Sequence, residues 1–209
     1  TVTTFVRDAH GLETARTEAA GTALARIITT TWHANFRLPI KITEPNRVTS
    51  LNYDANGNLL KRTVTAGTNS RSWTFTYNAA GQVLTVDGPR TDLSDISQFS
   101  YDTLGNLTSV SNAFGHVTQF TAYNANGQPL TIKDANGLLK TLTYDARGRV
   151  TSIKTGDETS AYVYDAVGQV IKTIAPDGTT IVLSYDDAHR LVKVSDPFGN
   201  HLDYTLDAM

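Results

Sequence analysis

YDANGNLL, residues 53–60, is the first clean copy of a unit that recurs to the end of the chain. YNAAGQVL (77–84), YDTLGNLT (101–108), YNANGQPL (123–130), YDARGRVT (144–151) and YDAVGQVI (164–171) follow it, and YDDAHRLV (185–192) is a degraded seventh. The leading tyrosines are 24, 24, 22, 21, 20 and 21 residues apart. A period of that size marks a repeat array, in which each unit leans on its neighbours. The shared core is Tyr-Asp/Asn-x-x-Gly, and six of the seven copies keep the glycine.

Each position has a physical reason. An Asp or Asn that opens a turn bonds its side-chain oxygen to backbone N–H groups ahead of it. A glycine three residues later supplies the left-handed backbone of a hairpin built on a type I turn and a bulge. A Cβ there would cost about 1–2 kcal/mol. The repeat-defining structural positions are therefore Tyr53 and Gly57, Tyr77 and Gly81, Tyr101 and Gly105, Tyr123 and Gly127, Tyr144 and Gly148, Tyr164 and Gly168, and Tyr185. In the seventh copy His189 stands in the glycine slot, so that turn is expected to be strained or differently shaped. Gly67 lies outside any such slot, and its replacement is expected to cost less than that of Gly105 or Gly148.

The flanks alternate as strands do. Leu51, Phe75, Phe99, Leu142, Tyr162 and Leu183 precede their tyrosines by two residues, which puts each pair on one strand face. Leu59, Val83, Leu107, Val150, Val170 and Leu191 follow the turns. Pro129 takes that slot in one copy, where a weaker, edge-like strand is expected. Second turns fall midway: NAFG (112–115), DANG (134–137), TGDE (155–158), APDG (175–178) and DPFG (196–199). Bends every 8–12 residues between Thr- and Val-rich runs are the all-β pattern. Residues 87–98 read as a longer polar surface loop.

The first 47 residues fit less closely and are read as divergent repeats before a regular array over 48–209. ETARTEAAGTALARI is also helical in composition, but the turn register of DAHG and EAAG continues and favours strands. WHANFRLP (32–39) reads as a divergent turn copy with Trp in the tyrosine slot.

Composition excludes several classes. The formal net charge is −2, with 18 basic and 20 acidic residues and no basic stripe, so a nucleic-acid partner has no electrostatic support. There is no cysteine, which removes disulfides, Cys zinc sites and a Cys nucleophile. No apolar run approaches the ~18 residues of a membrane span. The chain ends on LDAM, one residue before a turn glycine is due, so it reads as a piece of a longer polypeptide.

These residues resemble the YD repeats of bacterial Rhs proteins, related to wall-associated proteins and to teneurins. The tandem YDxxGxL copies, the intervening DPxG and DANG turns and the WHxxFRLPxxITEPN segment carry the likeness, most clearly over 48–209. The resemblance implies a tandem hairpin sheet that curves and spirals into a shell. It implies a large exported polymorphic toxin, often delivered by type VI secretion, whose shell encloses or presents a C-terminal effector, or a cell-surface role. Two departures stand out: seven to ten repeats are too few for a closed shell, and the ARYYDP-like terminal motif is absent. No cleavage function is carried onto DPFG.

Other chemistry ranks below architecture. The tyrosines would suit stacking on sugars, a role linked to the family, but their one-per-turn regularity favours packing. The DANG turns resemble fragments of calcium loops, yet each supplies one carboxylate. The histidines (10, 33, 116, 189, 201) stand alone, and no G-x-S-x-G occurs. Glu13/Glu18 and Asp92/Asp95 are loose acidic pairs with no common cleft. The stripe Trp73-x-Phe75-x-Tyr77 suits a core or interface. The expected partners are neighbouring repeats, an enclosed toxin domain, a carbohydrate or cell-surface ligand, and further copies through exposed sheet edges. No cofactor is expected.

Overall fold

The computed structural model describes residues 2–207. Thr1 lies outside it, as do Ala208 and Met209, on which the expected LDAM turn falls. The described chain holds nineteen strands and no helix. The first nine are β1 (Thr4–Arg7), β2 (Glu13–Glu18), β3 (Arg26–Trp32), β4 (Pro39–Glu44), β5 (Arg47–Tyr53), β6 (Leu59–Ala66), β7 (Asn69–Tyr77), β8 (Val83–Asp87) and β9 (Ser97–Tyr101). After them come β10 (Leu107–Ser111), β11 (Val117–Tyr123), β12 (Pro129–Lys133), β13 (Leu139–Tyr144) and β14 (Val150–Thr155). The last five are β15 (Glu158–Tyr164), β16 (Val170–Ile174), β17 (Thr180–Tyr185), β18 (Leu191–Ser195) and β19 (His201–Asp203). No helix is long and apolar enough to cross a membrane among the described residues.

Two compact units divide the chain. One holds the residues up to Ser100 with Val110–His116, and the other holds Tyr101–Ser109 with the residues from Val117 onward. In the first, β1 to β9 form a meander in which each strand pairs antiparallel with the next. In the second, β11 to β19 do the same. The fold class is tandem antiparallel hairpins, as the turn spacing predicts. ETARTE and RIITTTW of the opening segment are strands, so the continuing turn register outweighs helical composition.

Alternation gives each ladder two unlike faces. In the first unit Leu51↔Arg62 and Phe75↔Val86 pair on one face, while Ser50↔Thr63, Thr63↔Ser72 and Thr76↔Thr85 pair on the other. In the second, Leu142↔Ile153 and Leu183↔Val194 lie on the apolar face, against Thr143↔Ser152 and Ser184↔Lys193 on the polar one. Hydroxyl pairs cross the polar face, Thr63 to Ser72 at 2.9 Å and Thr76 to Thr85 at 2.6 Å. The apolar-face residues Leu51, Phe75, Leu142 and Leu183 are half-buried. Ile28 is the one buried hydrophobic residue among those described. Without a packed interior, backbone ladders and neighbour contacts carry the fold.

Two local expectations change and a third is narrowed. Strand β12 starts at Pro129 and is paired on both sides, by β11 and by β13, so it is no edge. Proline at the first position of a strand removes no donor that its ladder needs. Gly67 also has a positive φ, +59°, in the tight β6–β7 turn, so backbone conformation alone does not separate it from Gly105 and Gly148. His189, at φ +63°, is strained but keeps the turn's shape: its N–H donates to the Asp186 carbonyl at 2.9 Å, as the glycines do in other copies.

Candidate functional site, a row of turns and tyrosines

Within each unit, alternate turns fall on the same edge of the ladder. The turns at 54–58 and 78–82 are on one edge of the first unit, and those at 124–128, 145–149, 165–169 and 186–190 on one edge of the second. All are built alike. The Asp54 N–H donates to the Asn58 carbonyl at 2.9 Å, and the Gly57 N–H donates to the Asp54 carbonyl at 3.1 Å. The Asp54 carboxylate meanwhile accepts the N–H groups of Asn56 and Asn58. The same pattern holds at Asp145 with Arg147 and Arg149, and at Asn124 with Asn126 and Gln128. The tyrosine before each turn pairs across a register shift, as at Tyr53↔Leu59 and Tyr144↔Val150, which is the bulge the glycine completes.

The tyrosines reach backward. The Tyr53 hydroxyl donates to the Pro39 carbonyl at 2.9 Å, Tyr77 to Leu59 at 2.9 Å, Tyr144 to Pro129 at 2.8 Å, Tyr164 to Val150 at 2.8 Å and Tyr185 to Val170 at 2.9 Å. Tyr123 donates likewise to Leu107. Each acceptor opens the strand that leaves the preceding turn. Every one of these hydroxyls is thus a peg from one repeat into the backbone of the repeat before it. Burial pushes the Tyr53, Tyr77 and Tyr123 hydroxyls above the ordinary phenol pKa, which keeps the donor protonated. Trp32 fills the slot in the opening segment, its indole N–H donating to the Glu13 carbonyl at 2.8 Å. His33 then acts as the turn opener, with Nδ1 accepting the Asn35 N–H at 3.1 Å.

The residue after the glycine, at the fifth position of the turn, was not singled out from the sequence. In three of the Asp-opened turns it donates to the opening carboxylate: Asn58 Nδ2 to Asp54 at 2.8 Å, Arg149 Nε to Asp145 at 2.7 Å and Arg190 Nε to Asp186 at 2.8 Å. In the Asn-opened turns a glutamine accepts instead, Gln82 Oε1 from Asn78 and Gln128 Oε1 from Asn124, both at 2.9 Å. The same residue also reaches forward. Gln128 donates to the Gly148 carbonyl at 2.7 Å, Arg149 to the Asp165 carbonyl at 3.4 Å, and Gln169 to the His189 carbonyl at 2.8 Å. Arg149 also lies over the Tyr164 ring, 4.4 Å from its centroid. Aligning the copies exposes this position as always an amide or a guanidinium; its target needs the register of the next hairpin.

The carboxylates of Asp54, Asp102 and Asp145 are held below the usual carboxylate range. For Asp54 and Asp102 the main cause is the side-chain bond from Asn58 or Asn106; for Asp145 it is the Arg149 backbone N–H, then its guanidinium. Each is engaged by its own turn. Among the described residues no group of three His, Asp or Glu side chains is placed to hold a metal ion. Glu13 and Glu18 lie on β2 in ion pairs with Arg16, and Asp92 pairs with Arg90 in the loop before β9, where Asp95 accepts the Arg90 N–H. Trp73 packs under the Arg62 guanidinium, 5.0 Å from its ring. An open groove of about 590 Å³ in the first unit is lined by Asp8, His10, Trp32, His33, Phe36 and Arg37 among others, with the His33 and Phe36 rings 4.8 Å apart.

A family model described as the teneurin YD-shell matches residues 37–207. No curated protein matches the chain. Among solved structures, the crystal structure of TcdB2-TccC3-Cdc42 matches with a TM-score of 0.73 at 17% identity, covering 93% of this chain and 12% of the other. The crystal structure of TcdB2-TccC3 matches at 0.72 and 17%, covering 89% and 12%. The Photorhabdus luminescens Tc holotoxin pore with a TccC3 mutation matches at 0.58 and 15%, covering 96% and 14%. At these identities the likeness shows the fold, and the chain spans only a small fraction of the length of each chain it matches.

Proposed function

The chain belongs to the teneurin YD-shell family, and on that premise we propose that it is a scaffold section of a large exported Rhs-type toxin, part of a β-shell that encloses or presents a C-terminal effector domain. One observation carries this reading: the hydroxyls of Tyr53, Tyr77, Tyr123, Tyr144, Tyr164 and Tyr185 are engaged by backbone carbonyls of adjacent repeats. A ring whose polar handle is already bonded inside the array serves architecture before recognition. In the same proposal the thirteen tyrosine and glycine positions define the repeat, residues 1–47 are its divergent opening and 48–209 its regular part. The partners are neighbouring repeats and an enclosed toxin domain, the location is outside the producing cell or on its surface, with type VI secretion as one route, and no catalytic step is assigned.

Limited proteolysis of the full-length polypeptide tests enclosure. A downstream domain that resists digestion, and becomes digestible when Tyr164→Ala and Tyr185→Ala open this array, supports it. A domain cut at the same rate in both proteins refutes it.

A second reading, a surface module for carbohydrate or protein ligands, draws on the groove beside Trp32, His33 and Phe36. A glycan array probed with the isolated chain separates the two. Reproducible binding that Phe36→Ala abolishes favours the module, and blank arrays favour the scaffold.

A further inference from the structure

His189 stands in a glycine slot and adopts a glycine's backbone; among the described residues Ala19, at φ +52° in the turn after β2, is the other non-glycine residue with a positive φ. The φ of His189 is +63°, a region in which a residue with a Cβ is disfavoured by about 1–2 kcal/mol. Yet the turn keeps both defining hydrogen bonds, Asp186 N–H to the Arg190 carbonyl at 3.0 Å and His189 N–H to the Asp186 carbonyl at 2.9 Å. A side chain from outside the turn also bonds this residue.

The preceding repeat supplies it. Gln169 Nε2 donates to the His189 carbonyl at 2.8 Å, and Gln169 Oε1 lies 3.2 Å from His189 Nδ1. One amide therefore grips the same residue by main chain and side chain. Because Nε2 is committed to the carbonyl, Oε1 is the acceptor that faces the ring, and the bond forms when Nδ1 carries a proton. Neighbouring copies show the same reach toward glycines: Gln128 bonds the Gly148 carbonyl, and Arg149 Nη1 would sit 3.5 Å from a Cβ on Gly168. In those copies the grip acts on a residue that needs no support.

We propose that Gln169 is a clamp that holds His189 in the left-handed conformation, so that the fifth position of one turn licenses loss of glycine in the next. The clamp makes the seventh turn conditional on the sixth. A repeat that has lost its glycine stays folded only while its predecessor is in place.

A double-mutant cycle in the 209-residue chain tests this, with Gln169→Ala, His189→Gly and the pair followed by urea unfolding. The proposal expects Gln169→Ala to lower the parent's midpoint, and to lower that of His189→Gly by less than half as much, because glycine needs no clamp. Equal losses in both backgrounds overturn it. If Gln169→Ala does not fold, a folded double variant supports the clamp and an unfolded one refutes it. The His189 ring gives a second readout: nitrogen NMR of the parent is expected to show the proton on Nδ1, with a shift toward Nε2 in Gln169→Ala. The same tautomer in both proteins also refutes the clamp.

Discussion

The two edges of each ladder use similar bends for different ends. On the tyrosine edge, an added Cβ on Gly148 would lie 3.0 Å from Gln128 Nε2, and one on Gly168 would lie 3.5 Å from Arg149. On the opposite edge, a Cβ on Gly115, Gly178 or Gly199 would have nothing within 4 Å, although one on Gly156 would lie 3.3 Å from Leu138. Several opposite turns keep the Asx pattern, as Asp134 does with Asn136 and Leu138 and Asp196 with Phe198 and Asn200. Large apolar turn residues are open to solvent on both edges, Phe114 at 80% and Phe198 at 83% on this one and Leu104 at 86% on the tyrosine edge. A turn motif therefore closes a hairpin by itself, and becomes a coupling device only when its neighbours are stacked within reach.

Removing the peg is expected to break this contrast most visibly. Tyr164→Ala deletes a half-buried ring and the bond to Val150, at an expected cost of about 2–3 kcal/mol. Phe198→Ala on the other edge is expected to stay within about 0.5 kcal/mol. Urea unfolding of the two variants checks the pair, and similar losses would mean that the edges are equivalent.

Next in size is a matched pair of glycines. Gly148 (φ +78°) and Gly178 (φ +84°) carry the same backbone burden, about 1–2 kcal/mol for alanine at either. Only Gly148→Ala also crowds Gln128 and its bond to the Gly148 carbonyl, which adds about 1 kcal/mol. Thermal melting of both variants should rank Gly148→Ala as the more damaging. The reverse order would remove the stacking of turns from the account.

A finer cut is Tyr164→Phe, which keeps the ring and removes the donor to Val150, at a cost of about 1 kcal/mol. A variant as stable as the parent would show that the ring's packing alone holds the repeats together.

The smallest effect is acid sensitivity. The folded pKa values of Asp54, Asp102 and Asp145 are depressed, so their contribution is present above the unfolded value of about 4 and fades as pH falls through the folded values. Unfolding midpoints are expected to be level from pH 7 to about pH 5 and to fall below about pH 4. Asp145→Asn should make that fall shallower, and an unchanged pH profile in Asp145→Asn would count against its role.

The turn positions and the strand alternation were legible in the sequence because both depend on residues within one hairpin. Trp32 was legible as the stand-in for tyrosine for the same reason. The destination of each tyrosine hydroxyl was not, because it depends on the register between successive hairpins. Pro129 misled because its slot, read alone, suggests an edge, whereas a first-in-strand proline is compatible with pairing on both sides. Gly67 misled because the two-residue turn after β6 also needs a positive φ, a requirement invisible when only Asp-x-x-Gly is sought.

The sockets for the tyrosine pegs are main-chain carbonyls, those of Pro39, Leu59, Leu107, Pro129, Val150 and Val170. Every peptide presents the same oxygen whatever side chain it bears. A duplicated or shuffled unit therefore finds a compatible joint without a compensating change in its new neighbour, and gene-level lengthening of such an array carries little penalty in fit.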